Sequence, residues 1–229
     1  MISVVIPTLN SEAGLAGTLT GLVPAAVEGL IREAIVVDGG SSDRTEAIVD
    51  NAGADFVRST AGRGTQLAAG ARRARFPWLL FLHADTVLDP GWEREAVHFM
   101  ERVDTGARPL AAAAFRFALD DIGFKPRALE RLVAARCAAL RLPYGDQGLL
   151  IPERLYEEIG GYRPLPLMED VDLMRRLGRR RLVMLRSRAV TSAERFRRDG
   201  YVRRSSRNLA CLALYTLRVP TGVISRIYG

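Results

Sequence analysis

Four short apolar runs, at 2–6, 34–38, 54–57 and 78–82, each end abruptly in polar residues, and helix-length segments at 11–30, 43–52 and 62–75 separate them. Runs of Val, Ile, Leu and Phe without polar alternation suit strands buried on both faces, the pattern of a parallel sheet covered by helices. The β-α-β-α-β-α-β alternation therefore predicts an α/β fold with right-handed crossovers and ligands at the carboxyl ends of the strands. Polar motifs do fall at those ends: Pro7 to Glu12 after the first run, Asp38 to Asp43 after the second and His83 to Thr86 after the fourth. Ser42, with Asp43 and Glu46 behind it, offers a cap for the second helix.

After residue 105 the pattern changes to a strand near 110–119, a helix near 126–141, a loop at 144–148, a helix after Pro152 and a helix at 169–177. No Gly/Ser-rich linker intervenes, so one continuous domain of two halves, 1–105 and 106–229, is expected. With 48% apolar residues in 229, the core can be substantial.

Charge is divided unevenly. Residues 1–170 carry 18 basic and 23 acidic side chains, net −5, whereas 171–229 carry 15 and 3, net +12. All the basic residues except Lys125 are Arg. An Arg cluster suits phosphate groups or an anionic membrane surface, and nucleic acid is not expected because no recognised binding motif accompanies the charge. From 201 to 217, Arg203, Arg204 and Arg207 mix with Leu209, Leu212, Leu214 and Leu217, which reads as an amphipathic helix with a basic end. It either packs on the core or lies on a membrane surface. Cys137 and Cys211 have neither CxxC spacing nor a partnering His, so no disulfide framework or zinc site is indicated. The apolar stretch at 209–217 is far short of the roughly 20 residues of a membrane span, and the start lacks a signal-peptide pattern. A cytoplasmic protein is expected, with peripheral contact to the inner face of the membrane through the C-terminal segment as an option.

Four polar motifs carry chemistry. Asp38, followed by Gly39 and Gly40, can accept hydrogen bonds from a base or ribose, or can equally satisfy the N–H groups of its own turn. His83, Ala84 and Asp85 follow a buried strand. There Asp85 could hold Mg2+ or Mn2+ against a diphosphate, and His83 either ligates or shapes the turn. Gly62, Arg63, Gly64 and Gln66 open a helix whose N-terminus, with Arg63 beside it, suits an anion, although the P-loop and GxGxxG spacings are missing. Met168, Glu169, Asp170 and Asp172 put carboxylates in the first turn of a helix, as caps or as a general base.

Together, Pro7, Thr8, Leu9, Asn10 and Glu12, the run from Val37 to Asp43, the run from Phe81 to Asp85, and Glu169 with Asp170 resemble family 2 glycosyltransferases of the GT-A fold. More narrowly, the run Asp38 to Asp43, Gly62, Arg63, Gly64 and Gln66, the run 82–86, and Tyr144, Gly145, Asp146, Gln147 and Gly148 resemble a small bacterial branch labelled transferase 2, radical-SAM/selenodomain-associated. The resemblance implies a Rossmann-like, mostly parallel sheet, a nucleotide-sugar-binding first half and an acceptor-side second half. It implies hexosyl transfer from a nucleotide-sugar, a UDP-sugar foremost, with a divalent cation and inversion at the anomeric carbon.

Carried over residue by residue, Pro7, Thr8, Asn10, Glu12, Asp38, Gly39, Arg63, Gln66, His83, Ala84 and Glu169 would line the nucleotide-sugar site. Asp85 would bind metal and diphosphate, and Asp170 would be the base. Arg195 would contact diphosphate, and Asp146 and Gln147 would face the acceptor. The family's usual Asp-Asp-Gly-Ser is Asp38, Gly39, Gly40, Ser41 in this chain, one carboxylate fewer, and His83 replaces the first Asp of the metal motif. The acceptor could be a small metabolite, a lipid-linked intermediate or a modified thiol or seleno compound. A sugar-nucleotide nucleotidyltransferase and a non-catalytic nucleotide-binding protein are the rival classes. The first wants a Gly-rich loop with Arg and Lys after the first strand, which 7–12 lacks, and the second has no need of Glu169 and Asp170.

Overall fold

The computed structural model describes residues 1–228. Its first half follows the expected alternation: β1 (Ile2–Thr8), α1 (Glu12–Val27), β2 (Ile31–Asp38), α2 (Thr45–Ala52), β3 (Asp55–Arg58), α3 (Arg63–Arg73), β4 (Trp78–Phe81), β5 (Thr86–Leu88) and α4 (Trp92–Asp104). The second half runs β6 (Ala112–Leu119), α5 (Phe124–Leu140), a 3-10 turn at 145–147, β7 (Leu149–Pro152), α6 (Glu153–Glu158), α7 (Glu169–Leu177), β8 (Leu182–Thr191), α8 (Glu194–Asp199), α9 (Tyr201–Thr216) and α10 (Thr221–Tyr228).

One sheet of eight strands, in the order β3-β2-β1-β4-β7-β6-β8-β5, runs through both halves. The pairs β1–β2, β1–β4, β2–β3 and β6–β8 are parallel; β4–β7, β6–β7 and β5–β8 are antiparallel. The fold is mixed α/β with a mostly parallel sheet flanked by helices.

Alternation of side chains along each strand explains why β1 is apolar throughout. Val4 and Ile6 face one way, into a core with Leu15, Leu19 and Leu22 of α1 and Trp92 of α4. Val5 faces the other way, against Ile35 and Val37 of β2 and Leu67 and Ala71 of α3. Helix α3 lies close to the sheet because Gly70 faces Val5 and Val37, where a methyl group would collide with both.

Six elements were not expected from the sequence: β5, α4, β7, β8, α8 and α10. Strand β8 carries exposed Arg186 and Arg188, which interrupt its apolar pattern. Ser42 does not cap α2. Asp43 does that work, its Oδ1 accepting the Thr45 N–H at 3.0 Å, while the Ser42 N–H donates to Asn10 Oδ1 at 2.9 Å. Strand β5 belongs to the first half in sequence but closes the far edge of the sheet beside β8.

Candidate active site

The loops after β1 and β2 are tied to each other before they can meet a ligand. The Asp38 carboxylate accepts from the N–H groups of Gly40 and Ser41, both at 2.8 Å, from Thr8 Oγ1 at 3.1 Å and from Ser41 Oγ. Burial alone would raise its pKa; the hydrogen bonds from Ser41, Gly40 and Thr8 outweigh that and hold it below the usual carboxylate range. A carboxylate has about four acceptor sites, and these bonds occupy them. Asp38 therefore builds the turn, and a contact with base or ribose would have to share oxygens that these groups already engage. Asn10, in the left-handed region at φ 50°, links its own loop to Ser41 and Ser42. Glu12 accepts from Arg44 across the same gap.

Beyond this scaffold opens a cleft of about 800 Å3, whose wall includes Pro7, Thr8, Asn10, Arg63, Gln66, His83, Ala84, Asp85 and Arg195. Glu12, Asp38 and Gly39 do not reach it. Gln66 does so with its amide already committed, Nε2 donating to the carbonyls of Thr8 and Val37 at 2.7 Å each. It fixes the spacing of the ends of β1 and β2. Gly14 of α1, unremarked in the sequence, also lines the cleft, and a Cβ there would stand 2.9 Å from Ala84 O and from Asp85 Cα and Cβ. Only a glycine lets α1 support the Asp85 turn from behind. From the other side Ser192 N–H donates to Asp85 O at 3.0 Å, and the hydroxyls of Thr86 and Thr191 share a hydrogen bond of 2.7 Å.

A second cavity, of about 130 Å3, adjoins the first. Arg63, His83, Asp85 and Arg195 line both. The smaller one adds Tyr144, Gly145, Asp146, Glu169 and Asp170 on one side and Phe196, Arg204 and Asn208 of α8 and α9 on the other. Gln147 stays behind the wall, its Nε2 donating to Phe115 O at 2.9 Å and its Oε1 receiving Arg136, so it holds the loop and does not face an acceptor. The last three lining residues escaped sequence reading, since nothing in the 196–208 stretch shows which side of a helix will turn inward.

Asp170 sits in the first turn of α7, which starts after Met168 in the left-handed region at φ 67°. Gly145 N–H donates to its Oδ2 at 2.9 Å and Tyr162 Oη–H to its Oδ1 at 3.3 Å. Burial pushes its pKa up, opposed by Arg63 and by these two hydrogen bonds. Burial and the neighbouring Asp170 push Glu169 up to about 7, and burial pushes Asp146 up to about 6, opposed by Arg136 and reinforced by Asp170 and Asp85. His83 goes the opposite way, well below its ordinary value, through burial and the charges of Arg63 and Arg195. Its imidazole is neutral at pH 7. The junction thus joins carboxyl groups that hold protons readily to arginines that attract anions, a division suited to moving a proton beside a leaving phosphate.

These shifts have a thermodynamic sign. A carboxyl whose pKa is raised by folding contributes stability that is complete below its unfolded value and is lost as pH rises through its folded value. For Glu169 and Asp146 the loss falls between about pH 4 and about pH 7, a tenfold change in proton affinity being worth about 1.4 kcal/mol. Asp38, Glu33 and Glu95, held low by hydrogen bonds that outweigh their burial, act in the reverse sense and only at more acid pH. His83, held well below its ordinary value, acts in the reverse sense below about pH 6.5, so the melting temperature should fall by only a few degrees from about pH 5 to about pH 7.5, and Glu169→Gln should flatten that slope. A calorimetric series showing a melting temperature that rises across this window would contradict the assignment.

A divalent cation can be tested against this donor set. Among the described residues no three His, Cys, Asp or Glu side chains gather into a cage. Mg2+ and Mn2+ need only one or two carboxylates when a diphosphate fills the rest of the shell. Asp85 lies at the junction, and the buried Asp146 Oδ1 nearby has no hydrogen-bond partner among the described residues. The residues fit a cation held mainly by its substrate.

The family model for glycosyl transferase family 2 matches residues 3–136. No curated protein matches the sequence. Among solved structures, S. aureus TarS 1–349 in complex with UDP-GlcNAc is 16% identical, with a TM-score of 0.64 over 99% of this chain and 70% of that one. Glucosyl-3-phosphoglycerate synthase from Mycobacterium tuberculosis, in complex with Mn2+, UDP and glucosyl-3-phosphoglycerate, is 21% identical, with a TM-score of 0.56 over 84% of this chain and 70% of that one. This chain spans 42% of the longer TarS structure. At such identities the likeness is one of fold.

Proposed function

We infer that this chain, which belongs to glycosyl transferase family 2, moves a hexosyl group from a nucleotide-sugar to an acceptor hydroxyl, with inversion at the anomeric carbon and Asp170 as base. The observation that carries the reading is the junction: a large cleft at the strand ends meets a small cavity where Asp170, His83, Asp85, Arg63 and Arg195 converge. A nucleotide diphosphate suits the larger space and an acceptor the smaller. UDP is the favoured nucleotide, because both fold relatives were solved with it.

In this reading the acceptor oxygen attacks the anomeric carbon as its proton passes to Asp170. The bond from that carbon to the diphosphate oxygen breaks, and the nucleotide diphosphate leaves with the electron pair. Gly145 N–H and Tyr162 Oη–H aim the carboxylate. Arg63 and Arg195 face the charge that develops on the leaving group. Asp85 would hold a divalent cation, whose charge offsets that of the diphosphate. The loop at 144–148, one of the motifs that carry the narrower likeness to the radical-SAM-associated branch, lines the smaller cavity with Tyr144, Gly145 and Asp146, so that branch's chemistry would be expressed in the choice of acceptor.

A thermal-shift panel of UDP, GDP, CDP and dTDP and their sugar conjugates, with and without Mn2+, tests this. A ligand at about a hundred times its Kd adds about 2.7 kcal/mol to native stability, roughly 5–10 °C for a chain of this size. UDP conjugates with Mn2+ should give the largest shift. No shift with any nucleoside diphosphate would sink the reading.

A further inference from the structure

Helix α9 leaves part of its apolar surface facing outward. The side chains it buries are Arg204 and Cys211, with Leu212 and Leu214 half-covered. Arg204 is paired with Asp199 at 2.9 Å and lies over the Phe196 ring, and it lines the smaller cavity with Asn208. On the opposite side Val202, Leu209 and Leu217 are 79%, 67% and 76% exposed. Steps of seven and eight residues keep them along one stripe of a helix with 3.6 residues per turn. Next to the start of α9, Tyr201 Oη donates to Asp121 Oδ2 at 2.5 Å, and just beyond Asp121 the loop into α5 holds out Ile122, 96% exposed, and Phe124, 83% exposed.

Such a surface needs a cover, and its charge indicates which kind. From residue 200 to the end of the chain there are five arginines and no acidic residue; Arg204 and Arg207 turn to Asp199, and Arg203, Arg218 and Arg226 are exposed. Arg203 and Arg218 are exposed close to the two ends of the stripe. A second copy of the chain on this face would set like charges against each other. Nucleic acid would meet the arginines but offer nothing to the leucines. An anionic bilayer surface satisfies both, receiving the apolar side chains below its headgroups and the guanidinium groups at its phosphates. We propose that the outward face of α9, with the Ile122–Phe124 tip beside it, is a binding surface for anionic lipid bilayers. The proposal goes beyond sugar transfer and does not depend on it.

The test is co-sedimentation of the full chain with vesicles of phosphatidylglycerol and phosphatidylcholine, against vesicles of phosphatidylcholine alone, at low and high salt. The expected result is binding to the anionic vesicles that weakens with salt. Binding should fall about tenfold or more in the double variant Val202→Ser, Leu209→Ser, each lost apolar contact being worth close to a factor of ten. Arg203→Ser with Arg218→Ser should remove the preference for anionic lipid. Circular dichroism of the variants confirms that they fold. Absence of vesicle binding by the wild-type chain, or equal binding by the Val202→Ser, Leu209→Ser variant, overturns the proposal. So does a dimer in light scattering that this same variant dissolves, which would assign the face to a second copy.

Discussion

Replacing Asp170 by asparagine is expected to lower kcat for sugar transfer by a hundred- to ten-thousandfold, the usual span for a general base, with the UDP-induced thermal shift unchanged. Asparagine keeps the shape and both hydrogen bonds: its Oδ1 can accept the Gly145 N–H, and its Nδ2 can donate to Tyr162 Oη. What it loses is the ability to take a proton. The substitution also removes a carboxyl whose pKa burial has raised, and relieves Glu169 of its charged neighbour. Since a carboxyl with a raised pKa costs stability once the pH passes its unfolded value, the variant should be at least as stable as the parent at pH 7. Lost activity could then not be blamed on unfolding. Turnover within tenfold of the parent, measured as UDP release at saturating donor, would remove Asp170 from the chemistry.

Gly145→Ala should lower the rate by about a hundredfold through position alone. An added Cβ would stand 2.5 Å from His83 Nε2 and 2.6 Å from Asp170 Oδ2. Either the loop retreats and Asp170 loses the Gly145 N–H, or the carboxylate swings away from the junction. Asp170 retains its own chemistry in both cases, so kcat should fall while nucleotide binding persists. Gly17→Ala in α1 is the control: none of the described residues lies within 4 Å of its Cβ, and a helical Gly→Ala exchange of this kind should raise stability by about 0.5–1 kcal/mol without touching the rate. Equal kinetics for Gly145→Ala and the parent would show that the 145–147 turn does not aim the base.

The central strands were readable because residues such as Val4, Val5 and Ile6 are buried on both faces, and an unbroken apolar run of that length fits little besides a strand covered from two sides. Strand β8 was not, since Arg186 and Arg188 point to solvent along it and resemble the surrounding Arg-rich loops. At the site, the positions at strand ends were legible and their partners were not. Asp38 stands where a ligand contact was expected, yet Gly40, Ser41 and Thr8 occupy its oxygens. Gln66 and Gln147 carry side chains suited to recognition and use them on backbone carbonyls. A sequence displays donors and acceptors, but which of them remain unspent depends on which loops meet. Helix α9 illustrates the same point at the scale of an element. Its spacing of Leu and Arg is amphipathic in either orientation, and the Asp199 carboxylate and the Phe196 ring, by receiving Arg204, turn that side inward.

The pairing of β5 with β8 orders events during synthesis. Thr86 meets Thr191 across more than a hundred residues of chain, and the Asp85 turn between β4 and β5 is fastened on one side by the Ser192 N–H. A ribosome delivering residues from the N-terminus completes β1 to β4 long before either partner exists, and contacts so distant in sequence form late. The cleft that would take the nucleotide can thus assemble early, while the turn bearing Asp85 waits for the last strand of the sheet. A nascent or truncated chain lacking residues beyond 190 would retain much of the cleft wall and lack the lock on that turn, so the wall is built before the position that would hold the cation is fixed.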